Sequence, residues 1–286
     1  MTKSTLTKGG EADFWKSAFG HQWIDFESSL DVSMSGVLER LLEYADLNVA
    51  QNVLDIGCGT GASSLAAADI VGASGQVDAA DISTVLLERA RQKALLAEVE
   101  NVKFELCDAQ IHPFPKARYD RIMSRFGMMF FDAPVTALEN IAKAGKPGCR
   151  LVFVTWAQVS ENPWFAIPRQ VAVDRLGDPG VAKPRAPGPF AFQDIGYVKD
   201  LLISAGLSDI TGQEISCELT PPGDIAATAN FASQLGPAAR IIQEFEGTQE
   251  DARAIADGVA QGFSAFLKYG EFHIPATLNM FTASCR

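Results

Sequence analysis

The residues that most clearly indicate chemistry in this 286-residue chain lie in one segment, VLDIGCGTG at positions 53–61. Its short apolar run contains an acidic residue, Asp55, and glycines then follow at 57, 59 and 61. Glycines in such a turn permit positive φ angles and let a ligand approach the backbone closely. The segment therefore predicts a strand, a tight turn and a helix, with a ligand bound at the carboxyl end of the strand.

Two kinds of ligand fit a turn of this composition. The spacing of Gly57, Gly59 and Ala62 is that of a dinucleotide fingerprint, in which a pyrophosphate lies on the helix N-terminus. The carboxylate of Asp55, however, would repel a pyrophosphate and attract a cation. A second acid, Asp81, follows 26 residues later at the end of the next predicted strand, where a carboxylate suits a ribose diol. Together the two acids favour a nucleoside that carries positive charge.

Strands and helices alternate from position 51 onward. Strands are predicted at Val53–Ile56, Gln76–Ala80, Val102–Leu106, Tyr119–Ser124, Leu151–Trp156, Ile210–Leu219 and Ile274–Ser284. Helices are predicted at Ala62–Val71, after the N-caps Ser83, Asp132 and Asp194, and at Trp164–Leu176. This alternation implies right-handed crossovers and an α/β fold, with a Rossmann-like, mostly parallel sheet and helices on both of its faces.

The sequence predicts one sheet domain with helical additions. Residues 1–50 are predicted to form an N-terminal helical cap, in which a polar stretch at about 27–35 separates two apolar stripes. Residues 51–286 are predicted to form the sheet domain with two insertions. The first, at about 157–193, contains six prolines, and the second, at about 224–271, is helical and acidic and precedes the last strand.

Composition and charge argue against several classes of function. The net charge is −11 at pH 7, so we expect neither nucleic acid nor an anionic membrane among the partners. The five cysteines are odd in number and none has CxxC spacing, so we expect neither a disulfide framework nor a metal site. The N-terminal sequence lacks the apolar core of a secretory signal, and no run of about 18 apolar residues occurs. We therefore expect a cytoplasmic protein without membrane insertion.

Four segments taken together resemble a known family. VLDIGCGTG, followed by VDAADIS, CDAQ and YDRIMSRFGMMFF, is similar to the class I S-adenosylmethionine (SAM)-dependent methyltransferases, and in particular to the ubiquinone/menaquinone-biosynthesis-type enzymes that act on small molecules. The resemblance covers roughly residues 10–220. It implies a seven-stranded sheet, six strands parallel and one antiparallel, with SAM across the carboxyl edge. The sequence departs from the usual pattern at Gly145 and Cys149, where leucine and glycine are common.

The resemblance implies cofactor contacts at the ends of the first four strands. Gly57, Gly59 and Gly61 would cradle the amino-acid end of SAM, with Asp55 close by and Cys58 in the same loop, where its side chain suits a packing role. The remaining expected contacts are Asp81 with the ribose hydroxyls, Ile82, Asp108 and Ala109 with adenine, and Ser124 and Arg125 at the floor between SAM and the acceptor.

Residues for catalysis and for the acceptor are predicted less sharply. Arg125 and His112 are the polar candidates for catalysis, although they also fit a structural ion pair and a surface turn, respectively. The predicted substrate pocket contains Trp15, Phe19, Trp23, Phe126, Trp156 and Trp164. The first three of these also fit the core of a helix or a lid over the open edge of the sheet.

The predicted function is transfer of the methyl group of SAM to a small, partly hydrophobic metabolite by in-line displacement, with S-adenosylhomocysteine (SAH) as product. The aromatic segments around the predicted site favour such an acceptor, and carbon, oxygen, nitrogen and sulfur acceptors all stay open. An alternative is a sensor or partner subunit that binds SAM or SAH without transferring a methyl group. A nicotinamide-dependent dehydrogenase is a third possibility.

Overall fold

The computed structural model describes residues 23–180 and 183–286 of the chain. Its strands are β1 (Asn52–Ile56), β2 (Gln76–Asp81), β3 (Val102–Leu106), β4 (Tyr119–Arg125), β5 (Gly145–Trp156), β6 (Ser208–Leu219), β7 (Leu267–Lys268), β8 (Glu271–Phe272) and β9 (Ile274–Ser284). Its helices are α1 (Glu27–Ser33), α2 (Ser35–Ala45), α3 (Ala62–Val71), α4 (Thr84–Leu96), α5 (Pro134–Ala142), α6 (Pro163–Leu176), α7 (Ile195–Ser204), α8 (Ile225–Gln234), α9 (Pro237–Glu244) and α10 (Gln249–Phe263).

Seven of these strands form one sheet in the order β3-β2-β1-β4-β5-β9-β6. β9 runs antiparallel to both of its neighbours, and the other six strands run parallel. The predicted fold class is therefore confirmed, including the single antiparallel strand. The chain moves outward from β1 through β2 to β3 and then returns to β4 on the other side of β1. Such a reversal opens a crevice at the carboxyl ends of β1 and β4, where α/β proteins bind ligands.

Three predicted details are wrong. Asp132 does not cap α5, because Ala133 occupies the N-cap and Pro134 begins the helix, where the missing N–H of a proline has no cost. β5 begins at Gly145 rather than Leu151, because residues 146–149 bulge between two pairs of the β4–β5 ladder. The predicted second helical insertion ends in a two-stranded hairpin of β7 and β8, whose turn lies at 269–270 with positive φ angles.

The polar stretch near the N-terminus forms α1, a helix whose acidic side chains are held by ion pairs. Glu27 is buried at 5% exposure and pairs with Arg89 and Lys93 of α4. Asp31 lies one turn further along and pairs with Lys93 at 2.8 Å and with Arg125, at the end of β4, at 3.4 Å. These ion pairs hold α1 against α4 and the carboxyl end of β4.

The helical insertion after β5 is tied to the sheet by one buried side chain. The Asn162 amide nitrogen donates to the carbonyls of Gln158 and Thr277, and its oxygen accepts from the Thr277 amide. Thr277 belongs to β9, so these bonds fix the start of α6 to the sheet. α6 in turn packs against α9 and α10.

Two further features of the described residues are relevant to function. None of their helices combines the length and the apolar character that crossing a lipid bilayer requires. They also contain no group of three or more histidine, cysteine, aspartate or glutamate side chains arranged to hold a metal ion.

We expect the substitution Asn162→Ala to lower the free energy of unfolding by about 2–3 kcal/mol, because it removes three hydrogen bonds of a fully buried amide. Urea unfolding followed by circular dichroism measures this change. Asn48→Ala is the matched control, since Asn48 is an exposed asparagine whose loss should cost less than about 0.5 kcal/mol. Equal unfolding midpoints for the two variants would show that Asn162 does not anchor the insertion.

Candidate functional site

The turn after β1 is shaped by close approach to the turn after β4. Gly57 has φ +68°, and a Cβ added there would lie 2.7 Å from the Cα of Gly127. Gly59 has φ +55°, and a Cβ there would meet no atom of the described residues within 4 Å. Gly57 is therefore required by packing, whereas Gly59 leaves open space beside the backbone on the side where a ligand can approach.

Ser124, the penultimate residue of β4, links the two turns. Its hydroxyl donates to the carbonyl of Ile56 at 2.7 Å and accepts from the amide of Gly127 at 3.1 Å. The side chain is fully buried. Ser124 thus lies at the predicted site, but these two hydrogen bonds engage its hydroxyl in holding the site together.

Asp55 is a fully buried carboxylate at the centre of this edge of the sheet. The hydroxyls of Ser63 and Ser64, in the first turn of α3, donate to its Oδ2 at 2.7 and 2.6 Å. Its Oδ1 has no hydrogen-bond partner among residues 23–180 and 183–286. Burial raises the pKa of Asp55 above its usual 3.8, and the two serine hydroxyls and the Arg125 charge oppose that rise.

Arg125 supplies a partly buried cation at the end of β4, the strand that pairs with β1, and its charge favours the ionised form of Asp55. Its side chain is 16% exposed, and Nη2 lies 3.4 Å from Asp31 Oδ1. Nη1 is buried and has no partner among the described residues. The edge of the sheet therefore presents one unpaired acceptor on Asp55 and one unpaired donor on Arg125, which is the complement of an α-ammonium and an α-carboxylate.

Asp81 ends β2 beside the same turn. Its Oδ2 accepts from the Gly59 amide at 2.8 Å, and its Oδ1 accepts from the Ser83 amide at 2.9 Å. Each carboxylate oxygen can accept two hydrogen bonds, so both keep a free lone pair for a diol. Burial raises the pKa of Asp81 above 3.8, and the two backbone amides oppose the rise. Ile82 follows, half-buried, at the N-terminal side of α4.

The loop after β3 lies against the end of β2, because the Cys107 amide donates to the Asp81 carbonyl at 3.0 Å. In this loop Asp108 Oδ1 accepts from the amide of Gln110 at 2.9 Å. Ala109 is buried, and its carbonyl accepts from Asn140 of α5. Asp108 and Ala109 are thus brought to the same edge as Asp81, and their contact with a base stays a prediction.

Cys58 contributes to the turn through its backbone. Its amide donates to the Ala80 carbonyl, and its carbonyl accepts from the Gly61 amide at 2.9 Å, just before α3 begins. The side chain packs with Ala79 and Leu87. Burial, together with the nearby carboxylates, raises the pKa of this thiol well above its usual value, so it stays neutral.

Aromatic side chains cover the carboxyl ends of β4 and β5. Phe126 stacks on Trp156, with ring centroids 4.6 Å apart and planes 6° from parallel. Phe165 meets Trp156 edge-on at 4.8 Å, and Phe190 meets Phe165 edge-on at 5.2 Å. Phe126 has φ +66°, a backbone conformation that costs a bulky residue about 1–2 kcal/mol. We call these four residues the aromatic wall.

His112 lies in the loop after β3, where its Nε2 is 3.4 Å from Glu105 Oε1 of that edge strand. A role of His112 in catalysis stays a prediction.

The six aromatic residues predicted for the pocket lie in different places. Phe126 and Trp156 belong to the aromatic wall. Trp164 packs between Phe231 and Phe263 in the core of the helical insertion. Trp23 is half-buried against the main core. Trp15 and Phe19 lie outside the described residues.

Several residues of the site were not predicted. Ser63 and Ser64 hold Asp55, Asp31 holds Arg125, and Gly127 makes the close contact with Gly57. The two serines in the first turn of the helix after the glycine turn could have been predicted from the sequence as partners of Asp55. Asp31 could not have been predicted, because no local pattern links it to Arg125, 94 positions later.

Comparisons with known proteins agree with this geometry. Residues 47–175 match the family model described as a methyltransferase domain. Aklanonic acid methyltransferase DauC of Streptomyces sp. (strain C5) is 33% identical over 116 residues, or 41% of this chain and 53% of that protein. Ubiquinone/menaquinone biosynthesis C-methyltransferase UbiE of Cellvibrio japonicus is 35% identical over 131 residues, or 44% and 53%. The chain thus spans about half the length of the curated relatives it matches.

A solved structure extends the likeness of fold to nearly the whole chain. Phosphoethanolamine N-methyltransferase 2 of Haemonchus contortus, in complex with S-adenosyl-L-methionine, aligns with 99% of this chain and 61% of its own. The TM-score is 0.56 and the sequence identity is 17%. At this identity the similarity concerns the fold.

Gly57→Ala should destabilise the protein more than Gly206→Ala, and equilibrium unfolding in urea measures both. Both glycines have a positive φ, +68° and +81°, but only a Cβ at Gly57 would meet backbone, at 2.7 Å, whereas one at Gly206 would meet no atom of the described part of the chain within 4 Å. We expect the control substitution to lower the free energy of unfolding by about 1 kcal/mol, from backbone strain alone. Gly57→Ala should lower it by a further 2 kcal/mol or more, because its Cβ also meets backbone. Equal losses of stability in the two variants would mean that the turn after β1 does not contact the turn after β4.

Proposed function

We propose that this chain, in which residues 47–175 match a methyltransferase-domain model, transfers the methyl group of SAM to a small, partly apolar acceptor. The observation that carries this proposal is the pair of unpaired polar atoms at the switch point of the sheet, Oδ1 of Asp55 and Nη1 of Arg125. A buried acceptor and a buried donor are costly unless a ligand satisfies both. A zwitterionic amino-acid group does so.

The cofactor contacts follow from this placement. Asp55 would accept from the α-ammonium of SAM and Arg125 would bind its carboxylate. The open space beside Gly59 would admit the atoms that join the amino-acid group of SAM to its nucleoside. Asp81, with a free lone pair on each oxygen, would take the two ribose hydroxyls. The loop at Asp108 lies beside Asp81 and would border the base.

The chemistry would depend on alignment and on exclusion of water. Bound SAM supplies an electrophilic methyl group on a positively charged sulfur. The aromatic wall would exclude water from the acceptor side, and its rings would stabilise the nearby cation. The guanidinium of Arg125 carries hydrogen-bond donors and no acceptor, so its role would be electrostatic rather than that of a base. Catalysis by proximity is then the main contribution that this chain makes.

The aromatic wall also favours a planar acceptor. Phe126 is half-buried, with one face stacked on Trp156, so part of its ring is left for another flat molecule. Two of the curated relatives are a methyltransferase of aklanonic acid and a C-methyltransferase of ubiquinone/menaquinone biosynthesis. We therefore propose an acceptor with at least one aromatic or quinone-like ring.

The direct test is turnover of methyl-labelled SAM with the purified protein. The acceptor panel should contain hydroxylated aromatic acids, phenols and quinols, with small polar amines as the contrasting set. Labelled product from the ring compounds alone supports the proposal. Saturable SAM binding without product from any acceptor would favour a sensor, and binding of NAD(P)H instead of SAM would favour a dehydrogenase.

Asp81→Ala should weaken SAH binding by roughly 30-fold or more in calorimetry, because two hydrogen bonds to a charged acceptor are lost. The control is Asp69→Ala, which removes an equal charge from the exposed face of α3 and should bind SAH like the parent protein. Since Asp81 also holds Gly59 and Ser83, thermal unfolding of the variant confirms that it is folded. Unchanged SAH affinity in a folded Asp81→Ala protein would contradict the ribose assignment.

SAH binding should weaken as the pH falls, because burial raises the pKa of both Asp55 and Asp81 above 3.8 in the free protein. Ligand contacts with the ammonium and the diol require the ionised carboxylates, so protonation competes with binding below the raised pKa values. The dissociation constant should rise by up to about tenfold per pH unit for each proton displaced. Calorimetry between pH 5 and 8 measures this, with circular dichroism to confirm folding. A flat profile would show that neither carboxylate binds the ligand.

Phe126→Gly should raise the KM for the ring acceptor several-fold and leave the SAH dissociation constant within about twofold. Glycine accepts φ +66° without strain, so this variant removes the ring while keeping the turn. Steady-state kinetics with the best acceptor of the panel provide the measurement. A loss of SAH affinity with no change in acceptor KM would place Phe126 at the cofactor rather than at the acceptor.

A further inference from the structure

Two cysteines face each other at the end of the sheet opposite to the candidate site. Cys149 lies in the first half of β5, and Cys285 follows directly after β9. The antiparallel ladder pairs Arg150 with Ser284, so the next opposed pair is Cys149 with Cys285. The Cys285 amide donates to the Cys149 carbonyl at 2.8 Å, and each residue is 2% exposed.

Gly145 makes the space that both sulfur atoms share. A Cβ added at Gly145 would lie 2.6 Å from Cys285 Sγ and 3.0 Å from Cys149 Sγ. Both sulfurs therefore point to the same small volume. Glycine at position 145 leaves the room that the two cysteine side chains occupy.

The pair meets the requirements for a covalent bond between the strands. Directly opposed residues in an antiparallel ladder have Cα atoms about 4.5–5.5 Å apart. Disulfides span Cα separations of about 4.4–6.8 Å. The other three cysteines lack such a partner, since Cys58 packs with Ala79 and Leu87, and Cys107 and Cys217 belong to opposite edges of the sheet.

We propose that Cys149 and Cys285 are an oxidisable dithiol, which a peroxide converts to a disulfide that joins β5 to β9. The Cys285 sulfur attacks one oxygen of the peroxide, which breaks the O–O bond, releases one water after proton transfer and leaves a sulfenic acid. The Cys149 sulfur then attacks the Cys285 sulfur and displaces the second oxygen as water. Two thiols and one hydrogen peroxide thus give one disulfide and two waters.

The surroundings of the pair are compatible with this order of events. Contact with Cys149 lowers the pKa of the Cys285 thiol, whereas the same contact and burial raise the pKa of Cys149. Pro147 and Gly148, immediately before Cys149, are exposed in the bulge of β5. This irregular turn is where local opening would admit a small oxidant.

The modification would act on stability rather than on the candidate site. The disulfide would close a loop of about 140 residues that contains most of the second half of the chain, and long loops give large effects. The cysteines lie at the amino end of β5, whereas Trp156 and the aromatic wall lie at its carboxyl end. The proposal therefore does not depend on the proposed function.

The experiment is oxidation of the folded protein with a few equivalents of hydrogen peroxide. Thiols counted after denaturation should fall from five to three, the intact mass should fall by about 2 Da, and peptide mapping should join Cys149 to Cys285. The melting temperature should rise by about 5–10 °C, and dithiothreitol should reverse the rise.

Variants test whether the pair itself is responsible. Neither Cys285→Ser nor Cys149→Ser should form a disulfide under the same treatment. Cys285→Ser should keep its four thiols, Cys149→Ser should lose at most the Cys285 thiol as an unresolved sulfenic acid, and the control Cys107→Ser should still lose two. Peptide mapping of the parent protein needs no variant, so the test survives if a substitution prevents folding. A gain of about 32 Da at one cysteine, a disulfide between other cysteines, or five thiols retained would each overturn the proposal.

Discussion

A buried carboxylate with one oxygen unpaired is the constraint on which the arrangement of the site depends. Asp55 has no exposure, and two serine hydroxyls satisfy only one of its oxygens. An unsatisfied buried acceptor costs about 1–3 kcal/mol, which the ligand cation of the proposed function would recover on binding. The fold tolerates this cost because Arg125 lies near enough to favour the charged form. The free protein is thereby prepared for a ligand at the price of some stability.

That arrangement explains why the N-terminal helix is attached by charge. Arg125 would itself be an uncompensated buried cation without Asp31, and Asp31 also binds Lys93. α1 therefore completes the electrostatics of the site as well as covering part of the sheet. Partly exposed ion pairs contribute little stability each, but a network fixes geometry. The acidic side chains of α1 thus balance the positive charges of α4 and of Arg125 at the end of β4.

The side of the crevice that we propose for the acceptor depends on apolar contacts instead of charge. The aromatic wall offers area and shape without directional hydrogen bonds, and the strained backbone of Phe126 is kept because its ring stacks on Trp156. In the proposed function, rings at the ends of β4 and β5 would exclude water next to the cofactor, which would strengthen the electrostatic interactions beside them. The crevice thus joins a polar half, at β1 and β2, to an apolar half, at β4 and β5.

The sequence by itself determined the sheet, the glycine turn and the acids at the strand ends, since local periodicity and turn chemistry decide these: β3, α3 and β9 have their predicted bounds. Only the tertiary structure decided the contacts of Asp31 with Arg125, of Gly57 with Gly127 and of Cys149 with Cys285. The contacts of His112 with Glu105 and of Trp164 with Phe231 and Phe263 were decided in the same way. Side chains tens of residues apart meet according to how helices pack on the sheet, and periodicity within one segment carries no information about a distant partner.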